Sequence, residues 1–430
     1  MTLGKRVLNK CGVYIILFSA ALFLYGLIYH FSGNFSPVAP NPYNSYSRQA
    51  QSWLSGQLYL PENVPWLELA IYEGKYYVSF PPFPSVVMLP FVLFFGIATP
   101  DNAIAFVIAL LSLFYAYRLG LKMLGKKWTA VFLSLFLVLG TNYLHVALWG
   151  SVWYIAQNMA FLLTLMAFYY AVSDNKRHSF LSLLFICAAM GCRPFNAVYV
   201  PVVLYLVFLR ESREGRQENR PPVFVFKRIL LYSVPAFVLG GFFMWLNYAR
   251  FGNIFEFGHN YLPEFVNDPH GQFYAGRIPA NLYRMYFNLN ITEFPMFHGF
   301  AFWVASPIVI SFFVYLVLYV FKITSASRYM TEQENTGIAT GDKSNSTFIF
   351  GLLVLIMLHI LFFSFHRTLG GHQFGSRYTV DTLPAFYLGL LFMLKKLNPG
   401  KMIFLNAVPM LFGLILNFLG TAPFMSYYYG

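Results

Sequence analysis

The chain has 430 residues, 58% of them hydrophobic and only 10% charged, whereas a soluble domain carries about 25% charged residues. That shortage of polar surface excludes a water-soluble fold. The net charge of +13 does not indicate a nucleic-acid interface, because the Lys and Arg residues sit in short segments between long apolar runs, where they report membrane orientation. Cys11, Cys187 and Cys192 have neither disulfide-framework nor metal-ligand spacing. No His/Asp/Glu set has metal spacing and no phosphate-binding Gly loop or GxSxG occurs, so neither a metal nor a cofactor is expected.

Lys5, Arg6 and Lys10 precede an apolar run to Ile28. The run is too long for a signal-peptide core and no small-residue cleavage site follows, so it reads as an uncleaved first span. Spans are predicted near 12–31, 101–117, 128–148, 152–172, 179–192, 194–209, 229–248, 301–321, 347–365, 379–394 and 402–421, each about the length a bilayer demands. The fold class is therefore an all-α polytopic membrane protein with about eleven transmembrane helices. The most basic connection, 210–228, holds Arg210, Arg213, Arg216, Arg220, Lys227 and Arg228 and marks the cytoplasmic side. Segments 1–11, 118–127, 173–178, 210–228, 322–346 and 395–401 then carry 21 of the 29 Lys and Arg residues. This bias places the N-terminus in the cytoplasm and the C-terminus outside.

Residues 82–99 are apolar enough to cross, but crossing would put Arg118, Lys122, Lys126 and Lys127 outside. Pro81, Pro82, Pro84 and Pro90 suit a broken element lying in the outer leaflet better than a straight span; a crossing helix is the alternative. Two large external loops result, 32–100 and 249–300. In the first, Tyr46, Ala50, Trp53, Leu54 and Leu58 share a helical face; in the second, Leu282, Tyr283, Tyr286 and Leu289 do, with Asn281, Arg284 and Asn288 opposite. Both read as amphipathic helices on the membrane surface, or as soluble cap helices. The polar segment 329–346 is expected to be flexible.

Charges at a membrane edge are costly and mark function by default. Arg193 stands between two short apolar segments, and Asp381 opens the tenth span. Between spans nine and ten lie His366, Arg367, His372, Gln373, Arg377 and Tyr378. That cluster suits an anionic ligand, since the guanidinium fork matches phosphate oxygens. Pairing of Arg377 with Asp381, at i and i+4, is the structural alternative. The first loop offers Glu62, Glu68 and Glu73 as candidate bases. Glu68, beside Trp66 and between Leu67 and Leu69, ranks first and Glu73 second, because partial burial among apolar groups raises a carboxylate's basicity. His259, in Phe255-Glu256-Phe257-Gly258-His259, is a further candidate.

The order of these elements resembles the GT-C glycosyltransferases, which include the protein O-mannosyltransferases and the lipid A aminoarabinose transferases. Gln49-Ala50-Gln51-Ser52-Trp53-Leu54-Ser55-Gly56-Gln57-Leu58 is similar to the start of their first external loop, and Gly74-Lys75-Tyr76-Tyr77-Val78-Ser79-Phe80-Pro81-Pro82 to its closing Pro-rich motif. Arg193-Pro194 resembles the break between the fifth and sixth spans. Phe374-Gly375-Ser376-Arg377-Tyr378, followed by Leu383-Pro384, resembles a signature of bacterial members. The resemblance implies a GT-C-like module over 1–300, C-terminal helices over 301–430, and a place in a bacterial plasma membrane. It also implies transfer of a sugar from a polyprenyl-phosphate donor to a glycan, lipid or protein acceptor on the non-cytoplasmic face. Arg193, His259, His372, Gln373, Arg377 and Tyr378 would bind substrate, and Glu68 or Glu73 would act as base. One departure stands out. Family members place an acidic residue at the start of the first loop, whereas residues 32–48 contain no Asp or Glu and hold Asn34, Asn41 and Asn44. The alternative function is a non-enzymatic lipid or polyisoprenoid transporter, which would show charges deep in a central cavity and pseudo-symmetric halves; no internal repeat is visible.

Overall fold

The computed structural model describes residues 3–33, 36–175, 177–290, 299–329, 335–397 and 403–429. In chain order, α1 (Leu3–Phe31) leads to a first loop holding α2 (Ser45–Leu54), a hairpin of β1 (Leu69–Tyr72) and β2 (Lys75–Val78), and α3 (Phe83–Phe95). Then come α4 (Asp101–Leu124), α5 (Lys127–Leu139), the short α6 (Tyr143–Ala147), α7 (Val152–Ala171) and α8 (His178–Met190). A 3-10 turn at Pro194–Tyr199 runs into α9 (Val200–Gln217), followed by α10 (Pro222–Phe251). The second loop carries α11 (Pro263–Val266) and α12 (Ile278–Tyr286). The chain ends in α13 (Phe302–Ala305), α14 (Ile308–Tyr329), α15 (Asn335–Ser364), α16 (Leu383–Leu397) and α17 (Ala407–Tyr429).

The chain is a helical integral membrane protein. Among the described residues, seven helices are long and apolar enough to cross a membrane, and four apolar helices are shorter. How each helix is used follows from what surrounds it. The apolar window of α7 is 83% buried, that of α10 only 11%. A helix that is apolar all round and packed on all sides is central, whereas α10 turns Phe226, Leu231, Phe237 and Val238 outward, as a lipid-facing helix does. Because lipid tails are as apolar as Leu, helix association here depends on packing and buried hydrogen bonds. Tyr143 stacks on Phe161 at 3.8 Å and donates to Ser112 Oγ at 2.8 Å. Asn158 Nδ2 donates to Ala105 O at 2.8 Å, joining α7 to α4, and Tyr387 Oη donates to Ala116 O at 2.9 Å, joining α16 to α4.

The 13-residue α3 spans about 20 Å at 1.5 Å per residue, short of a ~30 Å hydrocarbon core. Both of its ends are tied to the same end of the bundle. Phe83 N donates to Gly191 O at 3.0 Å, just after α8. Just after α3, Asn102 Oδ1 accepts from Gly150 N at 2.8 Å, just before α7. Since α7 and α8 are consecutive antiparallel neighbours, Gly150 and Gly191 lie at one level, and α3 runs across that end against α2. Ser85 in α3 donates to Gln49 Oε1 of α2 at 2.7 Å.

Several details depart from the sequence expectations. The first loop contains a β-hairpin, because Leu69-Ala70-Ile71-Tyr72 and Lys75-Tyr76-Tyr77-Val78 pair around Glu73-Gly74. Both turn residues have positive φ, 50° and 71°, the type I′ geometry that matches strand twist. Helix α2 ends at Leu54, so Leu58 lies beyond it. Asn281, expected on the polar face, is buried and donates to Ser364 O and His366 O at 3.0 and 2.9 Å, because the end of α15 leaves carbonyls that need donors. The segment expected to be flexible, 329–346, is helical from Asn335; residues 330–334 and Asn34 lie outside the described residues.

The charge bias of the sequence predicts that the end bearing α3 is non-cytoplasmic. With cysteine at the hairpin tip (Glu73→Cys), an impermeant thiol reagent added to intact cells is expected to label the protein above the unsubstituted background. With Lys126→Cys, at the other end of α4, no added label is expected until the cells are opened. Equal labelling of both in intact cells contradicts this arrangement.

Candidate active site at one end of the bundle

The end of the bundle bearing α3 holds two adjoining cavities, of about 410 and 390 Å³. Phe80, Trp153, His259, His366, Arg377 and Tyr378 line both. The floor is built on Asp381, in the turn before α16. Its carboxylate accepts from Arg193 Nε at 2.9 Å and lies 2.8 Å from Arg193 Nη2; its other oxygen accepts from Gln157 Nε2 of α7 at 2.7 Å. Arg193 comes from the break that Pro194 enforces between α8 and α9, since proline has no N–H to continue a helix ladder.

Arg377 is not paired with Asp381, against the structural alternative drawn from i,i+4 spacing. The segment Arg377–Thr382 is a 3-10 turn with three residues per turn, so the two side chains leave in different directions. The Arg377 guanidinium donates to Trp153 O and Gly370 O, both at 3.1 Å, while its Nε is buried without a partner. No ion pair joins it to a carboxylate among the described residues. It sits over the Tyr378 ring at 5.2 Å and over Tyr154 at 5.0 Å. Arg193 sits over the same Tyr378 ring at 5.0 Å. Two guanidiniums thus share one ring, and of the two only Arg193 is paired with a carboxylate among the described residues.

Glu68 enters this cavity at the start of β1. Its Oε2 accepts from Trp153 Nε1 at 2.8 Å, so Trp153 holds Glu68 by its indole and Arg377 by its carbonyl. The surface Glu68 exposes faces the cavity, while dense protein around its carboxylate raises the pKa. The Trp153 donor and, more weakly, Arg377 oppose that rise; the neighbouring Glu264 adds to it.

His259 lines both cavities. Its Nδ1 faces Ser79 O, which only accepts, so Nδ1 carries the proton and Nε2 a lone pair. Burial pushes its pKa down to about 4, keeping the ring neutral. His372 lies at the cavity rim with its imidazole exposed, and its carbonyl accepts from Tyr154 Oη at 3.3 Å.

Two of the expected residues are not brought to the cavity. Gln373 is fully buried: its amide donates to Leu369 O at 2.8 Å and its oxygen accepts from Arg377 N. It braces the loop that presents Arg377. Glu73 is exposed at the hairpin tip, held there by the type I′ turn. Asn41 and Asn44, standing where the family places an acid, are clamps. Asn41 donates to Asn102 Oδ1 at 3.0 Å, and Asn44 Oδ1 accepts from Arg48 Nε at 2.9 Å.

Sequence reasoning missed Trp153, Tyr154 and Glu264, whereas His366, which it placed in the anion-binding cluster, lines both cavities. Glu264 lines the 410 Å³ cavity from α11, accepts from Arg367 Nη1 at 3.3 Å, and has its pKa raised by burial. Arg367 bonds Asp268 as well, at 2.7 Å. The one available signal for Glu264 was Pro263-Glu264, a helix-start pattern inside the second loop.

No protein-family profile matches the sequence, and no curated protein matches it. Among solved structures, the chain is similar to ArnT from Cupriavidus metallidurans bound to undecaprenyl phosphate, at 12% identity and a TM-score of 0.48, over 96% of this chain and 77% of that one. The apo form of that protein gives 12% identity and a TM-score of 0.47, over 97% and 77%. The Archaeoglobus fulgidus oligosaccharyltransferase in its apo form gives 12% and 0.47, over 96% of this chain and 56% of that one.

Asp381 supports the site electrostatically, whereas Glu73 does not. Asp381→Asn leaves Arg193 without its counter-charge and is expected to cost about 3 kcal/mol, the usual penalty for breaking a buried pair. Glu73→Gln is expected to stay within about 0.5 kcal/mol. Thermal unfolding of the two variants in detergent checks this, and equal melting temperatures contradict it.

Proposed function

We propose that the protein is a membrane glycosyltransferase that moves a sugar from a polyprenyl-phosphate donor to an acceptor at the non-cytoplasmic face. The observation that carries the reading is the pair of guanidiniums, Arg193 and Arg377, on the Tyr378 ring, of which only Arg193 is paired with a carboxylate, Asp381, among the described residues. Across Trp153 from Arg377 stands a carboxylate of raised pKa. Such a site binds an anion at one wall and accepts a proton at the other.

A polyprenyl tail needs an apolar channel beside the phosphate. A cavity of about 620 Å³ lies between α12, α14, α15 and α16, lined by side chains such as Leu282, Tyr286, Trp303, Phe313 and Ile360. Leu282 and Tyr286 also pack on the cluster that contains Tyr378, so tail and phosphate sites are neighbours.

In the proposed step, an acceptor oxygen attacks the anomeric carbon and the bond from that carbon to the phosphate oxygen breaks. The phosphate leaves with the electron pair, its growing charge met by Arg377 and Arg193. The acceptor proton passes to Glu68. Neutral His259, with Nε2 as acceptor, orients a sugar or acceptor hydroxyl.

Glu68→Gln keeps shape but takes no proton, so turnover is expected to fall by about 10²–10⁴ while binding of a polyprenyl-phosphate probe survives. Arg377→Lys loses the planar fork and is expected to weaken that binding. The pH profile supplies the sign. Glu68 acts ionised and its pKa is raised, so activity fails on the acid side at a pH above the ordinary carboxylate range. Trp153→Phe removes the donor that favours the ionised form and moves that limb to higher pH. Full turnover by Glu68→Gln in folded, probe-binding protein would end the base assignment.

A further inference from the structure

A cavity of about 720 Å³ opens at the other end of the bundle, between α1, α4, α5 and α7. Helix α4 starts at Asp101 near the active site and ends at Leu124, so Arg118 and Lys122 on its last turns lie at the far end. Both line this cavity, together with Lys127 at the start of α5. Among the described residues, three cations and no carboxylate line it; Asp174, paired with Lys122, is not part of the lining and has its side chain 87% exposed. From the positions of Arg118, Lys122 and Lys127 around an aromatic and apolar cleft at the far end of the bundle, we propose that it binds the phosphate of an anionic glycerophospholipid in the leaflet opposite the active site.

Arg118 is held in place without a carboxylate. Its Nη2 donates to Tyr169 Oη at 2.8 Å, and its guanidinium lies over the Phe114 and Tyr169 rings at 5.7 and 5.5 Å. No described ion pair joins it to an acid. Stacking leaves edge N–H groups for phosphate oxygens, the geometry guanidinium suits best. Lys127 lies 5.3 Å from the Trp128 ring, and that indole is 60% exposed, as expected at the level of lipid headgroups. Val13 and Leu121 provide apolar walls, and Ile15 and Ile16 on α1 are exposed beside them, a track for acyl chains. A free phosphate ion uses the cations but not the apolar track, so the combination favours a lipid. Basic pockets between transmembrane helices at the cytoplasmic side are suited to anionic headgroups. The site is independent of the proposed transfer reaction.

The test is native mass spectrometry of the full chain released from mixed phosphatidylglycerol and phosphatidylcholine micelles. The wild type is expected to retain phosphatidylglycerol over phosphatidylcholine by on the order of tenfold. Arg118→Gln/Lys127→Gln is expected to lose that preference. Lys395→Gln/Lys396→Gln, an equal charge loss on another helix, is expected to keep it. Inorganic phosphate at millimolar concentration is expected not to displace the lipid. Equal retention of the two lipids by the wild type, equal loss in both double variants, or displacement by phosphate overturns the proposal. Should the first double variant fail to fold, a photoreactive phosphatidylglycerol probe on the wild type decides. Crosslinks to α1 and α4 peptides support the site, and crosslinks confined to other helices overturn it.

Discussion

Asp381 is the constraint on which the functional end of this protein depends. A carboxylate buried at a membrane edge is tolerated only with counter-charge and donors around it. Here Arg193 supplies the charge and Gln157 a neutral donor. Those three residues come from α7, from the α8–α9 break and from the turn before α16, so satisfying one carboxylate fixes three distant parts of the chain. Gln157 also donates to Arg377 O at 2.8 Å, which extends the same network to the loop presenting the second guanidinium. Helix packing in lipid lacks a hydrophobic drive between helices, which makes a polar anchor of this kind a specifier of register as well as of the site.

That anchoring explains why Arg377 has no direct counter-charge among the described residues. The 3-10 geometry of Arg377–Thr382 turns Asp381 toward Arg193 and leaves Arg377 held by two carbonyls, which accept hydrogen bonds but carry no full charge. Two carboxylates of the loop wall, Glu68 and Glu264, have pKa values raised by the protein around them. Charge is thereby separated across the cavity, with cations fixed at the floor and groups able to accept protons at the loop wall.

Much of this was legible in the sequence because membrane insertion writes strong signals. The apolar windows, the 21 of 29 basic residues on one side and the prolines of 81–90 each follow from the cost of placing charge or broken backbone in hydrocarbon. Glu68, Arg193 and Arg377 were legible for the same reason: charge beside apolar runs is rare. Illegible residues owed their roles to tertiary contact. Trp153 reads as one more aromatic in a span, and only the fold brings its indole to Glu68, 85 positions away. Asn281 reads as a polar helix face, and only the end of α15 makes it a buried donor. The Arg377–Asp381 spacing misled because i,i+4 proximity presumes an α-helix where the backbone is 3-10.

The asparagines of the first loop show how a departure from a family pattern acquires a structural meaning. Asn41 and Asn44 replace an expected acid, yet a carboxylate does stand beside them: Asp101, from the start of α4, accepts from Ser47 Oγ at 2.5 Å and from Asn41 N at 3.3 Å. Asp101 meets the backbone of Asn41, whereas the Asn41 amide donates to Asn102 Oδ1, which also accepts from Gly150 N. An amide at 41 is the compatible choice, since a carboxylate there would set acceptor against acceptor. In the proposed reaction the proton acceptor comes from elsewhere in the loop. Glu68 is the first-loop carboxylate that lines the cavity, brought there by a hairpin whose type I′ turn uses up Glu73. The clamped asparagines and the placement of Glu68 thus belong to one arrangement, in which Asp101 and Asn102 tie the first loop to α4 and the hairpin brings Glu68 to the cavity.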